Sequence, residues 1–355
     1  MKRFLLRVVL PWSVTVVALY LAFKGVEWHQ LVEHAKSANR SDIAIAVALT
    51  IISYFVRAAR WPLLFPSGQV KYLTSYRVLV LGFFMNNILP ARAGELVRAH
   101  LGGKATGNPR TLVLATVASE RLADGLTISL MFAAIIFFLG RGHLSAQDAS
   151  TLTYVAYLFV FAALGVIGVL LFRGRLFALA DKIAASLNRK ALTFALQKLQ
   201  VFVEGLSPLC YPSRSIKIAL LSVLIWSIEL CVFASVARAF NWPLSISAAV
   251  LFMVAANFSS LVPAAPGSFG TIELFAKKVL LSVGVPGDAL ALSMVLTQHL
   301  IQYAVIGVQG VGMMATGKYR FKEVTDSVEN ETSAEDSSET NEQHAVGVSS
   351  VNVSR

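Results

Sequence analysis

The residues of this chain best suited to binding chemistry are charged side chains that lie inside long apolar stretches. Glu95 and Arg98 are three residues apart, and Glu120, Arg121 and Asp124 lie close together in the next apolar stretch. Residues three or four apart share one face of a helix, so each group presents its charges together. Ionisable groups inside a membrane segment are costly, and they indicate a functional site by default. The alternative is an ion-pair network that locks helices together.

A surplus of arginine favours substrate contact over such a network. Arginine is suited to phosphate because its planar guanidinium group can donate two parallel hydrogen bonds to one anion. We therefore expect these stretches to bind a lipid with an anionic headgroup. The arginines that outnumber their local acids are Arg57, Arg77, Arg92, Arg98 and Arg121.

Two apolar segments, residues 83–98 and 257–273, are interrupted in the same way. Each passes from asparagine through proline to glycine and then glutamate. A simple membrane anchor has no use for such breaks, because lipid cannot satisfy the freed backbone groups. Broken segments at corresponding positions of two halves are the best sequence indication of a transporter's binding site. In the second break, Gly267 and Gly270 would help to free backbone N–H groups at a helix start for an anion.

The second half adds its own polar groups. Glu273 and Lys277 are four residues apart in the order that favours an ion pair within a helix. His299 lies in the last apolar stretch, where a histidine is more often a hydrogen-bond partner between helices than a proton carrier. The candidate substrate-binding residues are Asn86, Asn87, Pro90, Arg92, Glu95, Arg98, Glu120, Arg121, Asp124, Asn257, Pro263, Gly267, Gly270, Glu273, Lys277 and His299.

The elements that position these residues are predicted to be membrane helices. The chain has 355 residues, of which 56% are hydrophobic and 14% charged, with a mean hydropathy of +0.65. This composition predicts an all-α polytopic membrane protein with about 6–8 transmembrane helices. The net charge of +11 indicates contact with anionic lipid headgroups rather than nucleic acid, because basic residues flank apolar spans. Two cysteines predict neither a disulfide framework nor a metal cluster, and no cofactor is expected.

The charge distribution predicts a topology. The basic segment 173–217 is predicted to be a cytoplasmic amphipathic loop, with the N-terminus and the C-terminal tail also cytoplasmic. All three segments can be cytoplasmic if residues 73–100 and 247–284 do not cross the membrane but form two oppositely oriented re-entrant hairpins, as in an inverted repeat. Eight or nine plain crossings are the alternative. We expect residues 1–322 to form one transmembrane domain, and the acidic segment 323–355 to be a disordered tail.

With these motifs, the chain resembles the flippase-like family that includes the transmembrane region of lysylphosphatidylglycerol synthase, the multiple peptide resistance factor. The resemblance covers roughly residues 5–318. It implies a helical lipid-translocating domain with two re-entrant segments, and relatives linked to aminoacylated phosphatidylglycerol, hopanoids or polyprenyl-linked glycolipids. Two-domain synthases carry a soluble aminoacyl-transfer domain, but only a short polar segment follows here, so we do not expect lysyl transfer. The matching residues are Asn86 to Pro90, Gly94, Glu95, Arg98, Glu120, Arg121, Asp124, Pro263 and Pro266 to Glu273.

The leading hypothesis is a lipid or glycolipid flippase of the bacterial inner membrane, with a membrane lipid as its substrate. Two alternatives remain open. One is a non-transporting scaffold that recruits a glycosyltransferase or lipid synthase partner through segment 173–217. The other is a lipid-modifying membrane enzyme that uses Glu95, Glu120 or His299 as an acid or base. The sequence carries no phosphate-binding loop, HExxH or GxSxG motif, so we expect a protein that is not an enzyme.

Overall fold

The regular structure of the computed structural model is entirely helical, with no strand among the residues it describes. Those residues are 10–66, 70–89, 93–139, 157, 160–161, 164–180, 190–262 and 264–315. The α-helices with defined ends are α1 (Leu10–Phe23), α2 (Trp28–Ser37), α3 (Arg40–Arg60), α4 (Tyr72–Ile88), α5 (Gly94–Thr106), α6 (Arg110–Leu139), α7 (Lys190–Gly205), α8 (Pro212–Ala239), α9 (Ile246–Ser259), α10 (Thr271–Ser282) and α11 (Asp288–Ala315). Short 3₁₀ turns cover Trp61–Leu64, Ser207–Cys210 and Pro266–Ser268.

Long apolar helices identify an integral membrane protein. Among the described residues, the helical stretches Arg40–Leu64, Pro212–Ala239 and Asp288–Ala315 are long and apolar enough to cross a bilayer. Pro11–Phe23 and Ile246–Ser259 are shorter apolar helices. The predicted all-α membrane class is therefore confirmed, while the number of crossings stays a prediction.

The two largest of four hydrophobic clusters among the described residues hold most of the helices in place. The larger core joins α8, α9, α10 and α11, and in it the rings of Phe233 and Phe252 meet edge to face with centroids 4.7 Å apart. The smaller core surrounds Trp61, which is fully buried, and joins the end of α3 to α4, α5 and α6. Helix α3 also packs along α8, which connects the two cores. Each core therefore supports one of the two broken segments.

The first broken segment folds back on itself. Helices α4 and α5 pack together, and Gly94 lies against the backbone of Gly82 and Asn86. Further along the pair, Gly102 of α5 lies beside Val78 of α4. Because the contact moves backward along α4 as it moves forward along α5, the two helices are antiparallel. A side chain at Gly94 would collide with backbone atoms, so glycine is required for this close approach.

The second broken segment depends on unusual backbone conformations. Between α9 and α10, Gly267 has φ of +74° and Gly270 has φ of +89°. Ser268 also has positive φ, +58°, although it has a side chain. Glycine adopts such angles readily, and other residues do so at a cost. Helices α9 and α10 pack on each other, and α1 packs on α10.

The basic segment 173–217 is only partly described. Residues 164–180 are helical, and α7 packs on α6, with Gly205 against Ala115 and the carbonyl oxygen of Leu112. Residues 181–189 and the acidic tail 323–355 lie outside the described residues. The side of the membrane that carries the segment, and the predicted nature of the tail, remain predictions.

Candidate functional site

A cavity of about 620 Å³ lies where the two broken segments meet. One wall is formed by the end of α4 and the start of α5, and another by residues 260–262, residues 264–268 and α11. Helices α3, α6 and α8 contribute most of the charged lining, and Glu95 of α5 adds a carboxylate. This volume is within the range of ligand-binding pockets, about 300–1,000 Å³.

The two breaks are joined directly beside the cavity. Tyr303 of α11 donates a hydrogen bond through its hydroxyl to the carbonyl oxygen of Asn87, at 2.6 Å. The same tyrosine ring lies against Gly267. Asn86 also lines the cavity, and its Oδ1 atom is buried without a hydrogen-bond partner among the described residues. At the tip of the first break, the Asn87 carbonyl is therefore hydrogen-bonded by the second half of the chain, while the Asn86 amide oxygen has no such partner among the described residues.

The charged wall begins with a cluster between α3, α6 and α8. Arg57 lies 3.3 Å from a carboxylate oxygen of Glu229 and 3.4 Å from one of Asp124. Arg60 lies 2.6 Å from the other oxygen of Asp124 and is fully buried. Gln302 donates to Glu229 at 3.1 Å, so α11 joins the cluster. Every charge in this cluster has an oppositely charged partner.

A second cluster continues the network behind the first break. Arg98 donates two hydrogen bonds to the Glu120 carboxylate, at 3.0 and 2.9 Å, and both side chains are buried. Arg121 lies 3.0 Å from Glu120 and 3.6 Å from Glu95. About one third of the Arg121 side chain is exposed, and it faces the cavity together with Glu95. The cluster thus has a buried ion pair, Arg98 with Glu120, and an open side, Arg121 with Glu95, that faces the cavity.

The expected surplus of arginine is not found among the described residues of this network. The four arginines in contact with carboxylates are Arg57, Arg60, Arg98 and Arg121. Their partners are Glu95, Glu120, Asp124 and Glu229. Arginine and carboxylate are equal in number in this part of the network, while Arg92 of the predicted surplus lies outside the described residues. Glu229 supplies the missing negative charge from a helix far away in the sequence.

The polar residues of the second half form two separate contacts. Glu273 accepts a hydrogen bond from the backbone N–H of Gly270 at 2.6 Å, and its other oxygen lies 2.6 Å from Nδ1 of His299. Lys277 does not pair with Glu273, which corrects the expected pairing. Its ammonium group lies 2.7 Å from Asp288 and donates to the Ala22 carbonyl at the end of α1, also at 2.7 Å.

The candidate residues therefore fall into distinct groups. Those that line the cavity are Asn86, Asn87, Glu95, Arg121, Asp124, Asn257, Gly267 and His299. Arg98, Glu120 and Glu273 are buried behind the lining. Gly270 and Lys277 lie against α1 instead. Pro90, Arg92 and Pro263 lie outside the described residues.

Several lining residues were missed or left without a role by sequence reasoning. Tyr54 and Trp226 line the cavity beside Arg57, and Trp226 donates to Asp124 at 3.1 Å. Glu229 is the clearest omission, because a lone carboxylate within the apolar helix α8 is itself an indication of a buried partner. Aromatic residues give no such indication, since they are common in any membrane helix.

Comparison with known proteins identifies the family of this chain. A family model described as the lysylphosphatidylglycerol synthase TM region matches residues 6–310. The chain belongs to this family. Membership confirms the resemblance seen in the sequence motifs, and the matched range includes every residue that lines the cavity.

Two relatives of this family member illustrate its range. Glycosyltransferase AglD of Haloferax volcanii is 24% identical over 335 residues, which cover 84% of this chain and 53% of AglD. The UPF0104 membrane protein of Methanothermobacter thermautotrophicus is 27% identical over 279 residues, which cover 76% of this chain and 81% of that protein. The chain thus spans about half the length of AglD. No solved structure matches the chain.

Proposed function

We propose that this family member is a flippase that moves a membrane lipid across the inner membrane of a bacterium, with the lipid headgroup in the cavity between the two breaks. The observation that carries this proposal is the shared cavity. Both broken segments contribute polar tips to one space within an apolar helical protein. Transporters commonly build substrate sites from paired broken helices in this way. The scattered charges of a simple anchor would not converge on one cavity.

The lining favours a headgroup that carries both signs of charge. Arg57 and Arg121 can each bind a phosphate oxygen, while Glu95, Asp124 and Glu229 can accept from an ammonium group. An aminoacylated phospholipid fits this pattern better than a plain anionic lipid. Hopanoid and polyprenyl-linked lipids remain candidates where their headgroups combine both charges.

A vesicle assay tests this function. The purified chain is reconstituted in phosphatidylethanolamine and phosphatidylglycerol vesicles that carry a fluorescently labelled lipid, either phosphatidylglycerol or its lysyl ester. Protein-dependent movement between leaflets is followed by chemical quenching of the outer label. We expect faster movement of the lysyl ester, and the exposed pair Arg238–Asp42 offers a control variant, Arg238→Gln. Movement that equals that of empty vesicles for both lipids would contradict the proposal.

The topology that accompanies this function has two re-entrant hairpins. In this arrangement α4–α5 enters from the cytoplasmic side and α9–α10 from the opposite side, with both chain termini cytoplasmic. The antiparallel packing of α4 and α5 supports the first hairpin. Single cysteines at Lys71 and Lys104, placed in a chain without Cys210 and Cys231, test it by labelling of intact cells. We expect both positions to be protected from outside, whereas labelling of position 104 alone would indicate a plain crossing.

A scaffold for a glycosyltransferase or lipid synthase is the second candidate, because one relative is named as a glycosyltransferase and is about twice as long as the matched region. A third possibility, lipid modification, is disfavoured by the ion pairs, since Glu95 and Glu120 both contact Arg121 and are not poised as bases. Mass spectrometry of the vesicle lipids separates the candidates. An unchanged lipid mass together with protein-dependent movement supports the flippase and excludes modification.

A further inference from the structure

The hydrogen-bond partners of Glu273 and His299 fix how many protons the pair holds. Nε2 of His299 lies 3.0 Å from the carbonyl oxygen of Gly267, which can only accept, so Nε2 must carry a hydrogen. Nδ1 lies 2.6 Å from a carboxylate oxygen of Glu273. An unprotonated ring nitrogen and an ionised carboxylate would repel each other at this distance, so one more proton lies between them. The pair therefore holds two exchangeable protons, and its net charge is zero whichever partner carries the second one.

Loss of one proton must break one of these two contacts. A neutral imidazole has a single N–H, and it would then face two acceptors, Glu273 and the Gly267 carbonyl. The contact with an ionised carboxylate is the stronger one because it is charge-assisted. The hydrogen bond to Gly267 is therefore the one that is lost. In its place a ring lone pair would face the carbonyl oxygen.

The contact that is lost supports the wall of the cavity. Gly267 lies in the Pro266–Ser268 turn, with φ of +74°, and the turn packs on α4. His299 itself lines the cavity while 94% of the residue is buried, so a proton can reach it from the cavity and from no broad surface. Release of Gly267 frees one side of the second break. The proton content of the pair is thereby tied to the shape of the cavity.

The charged groups around the pair are held by other partners. On its own helix it faces Tyr303, with ring centroids 6.3 Å apart, and Gln302, which binds Glu229 of α8. Glu229 is paired with Arg57. From α10, Lys277 is held by Asp288; α1 presents the uncharged Thr15, and α4 presents a backbone carbonyl. Among the described groups that face the cavity, this pair can thus exchange a proton without breaking an arginine ion pair.

We propose that the Glu273–His299 pair is a proton-binding site that couples proton movement to lipid translocation. The site takes one proton from the water of the cavity to close the hydrogen bond to Gly267, and it releases that proton when the bond opens. This inference rests on the proposed flippase function. It names the proton as the coupled ion, whereas the shared cavity alone does not indicate any ion.

Lipid movement under a pH gradient tests the coupling. Vesicles as above, with labelled lysyl-phosphatidylglycerol, are compared with and without an imposed pH gradient. We expect the gradient to change the wild-type rate several-fold. Glu273→Gln keeps an acceptor for Gly270 and a donor for His299 but cannot titrate, so its rate should not respond to the gradient. His299→Gln should behave alike, whereas His29→Gln, at an exposed position outside the cavity, should respond as the wild type does.

The outcomes separate the two proposals. Protein-dependent movement that ignores the gradient in the wild type overturns the proton site and leaves the flippase intact. No protein-dependent movement of either lipid overturns the flippase. A direct measurement then decides the site without transport: nitrogen NMR of ¹⁵N-histidine protein in the same vesicles, assigned with His299→Gln. We expect the His299 nitrogen signals to change when the pH is raised from about 5 to about 9, because loss of the shared proton alters the hydrogen bonds of both ring nitrogens. Signals that stay constant over this range overturn the proton site.

Discussion

The two polar regions around the cavity are built on opposite principles. Behind the first break, arginines and carboxylates are matched in a network of buried ion pairs. At the second break, a histidine and a glutamate contact each other and two backbone groups of a glycine-rich turn. The first region joins helices through buried ion pairs, and the second joins a buried glutamate–histidine pair to a turn with positive φ angles. In the proposed flippase, the first region would be the rigid part and the second the part that changes.

Removal of one partner of the buried Arg98–Glu120 ion pair in the first region should have the largest effect on stability. Glu120→Met leaves Arg98 buried without a carboxylate, and loss of one partner of a buried ion pair costs about 3–5 kcal/mol. The double variant Arg98→Met with Glu120→Met removes both charges and should recover much of this loss. Unfolding of the purified protein in mixed micelles measures both. Equal stability of the single variant and the wild type would show that this ion pair does not stabilise the fold.

Close packing of the first hairpin should have the next largest effect. In Gly94→Ala the new methyl group meets the backbone of Gly82 and Asn86, which cannot move aside without separating α4 from α5. Overpacking of this kind costs about 1–3 kcal/mol. Gly307→Ala on α11 is the matched control, because no atom of another described element lies within 4 Å of the added methyl carbon. The same unfolding assay should show loss only for Gly94→Ala, because alanine has a higher helix propensity than glycine. Equal losses in the two variants would show that the close approach at Gly94 is not the cause.

The open face of the first region should affect translocation more than stability. Arg121→Gln removes a guanidinium that is one third exposed to the cavity, while Glu120 keeps its bidentate bond to Arg98. Loss of one charged hydrogen bond to a headgroup is worth about 1.5–3 kcal/mol, so translocation should fall by roughly 10- to 100-fold. The vesicle assay measures the rate, and thermal unfolding measures the fold. A parallel loss of translocation rate and thermal stability would show that Arg121 stabilises the helix packing instead.

A peripheral contact of the second region should have the smallest effect. Asp288→Asn removes the charge opposite Lys277, but 43% of the Asp288 side chain is exposed, and Lys277 keeps its bond to Ala22. Partly exposed ion pairs contribute about 0–1 kcal/mol. We expect a shift in the thermal midpoint of at most a few degrees and an unchanged response to a pH gradient. A lost pH response would extend the proton site to Lys277 and Asp288.

The sequence predicts the plan of the fold better than its pairings. Proline, glycine and asparagine in repeated order locate both breaks, because backbone chemistry at these residues is local. The glycines of α11 show the limit of such reasoning, because spacing alone suits Gly307, Gly310 and Gly312 equally to close helix contact. Among the described residues, an added Cβ at Gly310 would meet Phe84, but one at Gly307 or Gly312 would meet nothing within 4 Å.

The pairings at the site depend on residues that are distant in the sequence. Arg57 and Glu229 are separated by 172 positions, so no local spacing relates them. Lys277 has a well-spaced local partner in Glu273, yet it binds Asp288 and a backbone carbonyl because Glu273 is already held by His299 and Gly270. Spacing therefore nominates charged groups for the site, and tertiary packing decides which groups meet.

Helix α1 has a consequence for the order in which the protein is assembled. Its Thr15 hydroxyl accepts from the Ala265 backbone N–H at 2.8 Å, and the carbonyl of Ala22 accepts from Lys277. These partners are made 250 and 255 residues later. At about 5–20 residues per second, the ribosome needs roughly 10–50 s to supply them. Helix α1 must therefore remain without these two partners of the second broken segment until synthesis of the chain is well advanced.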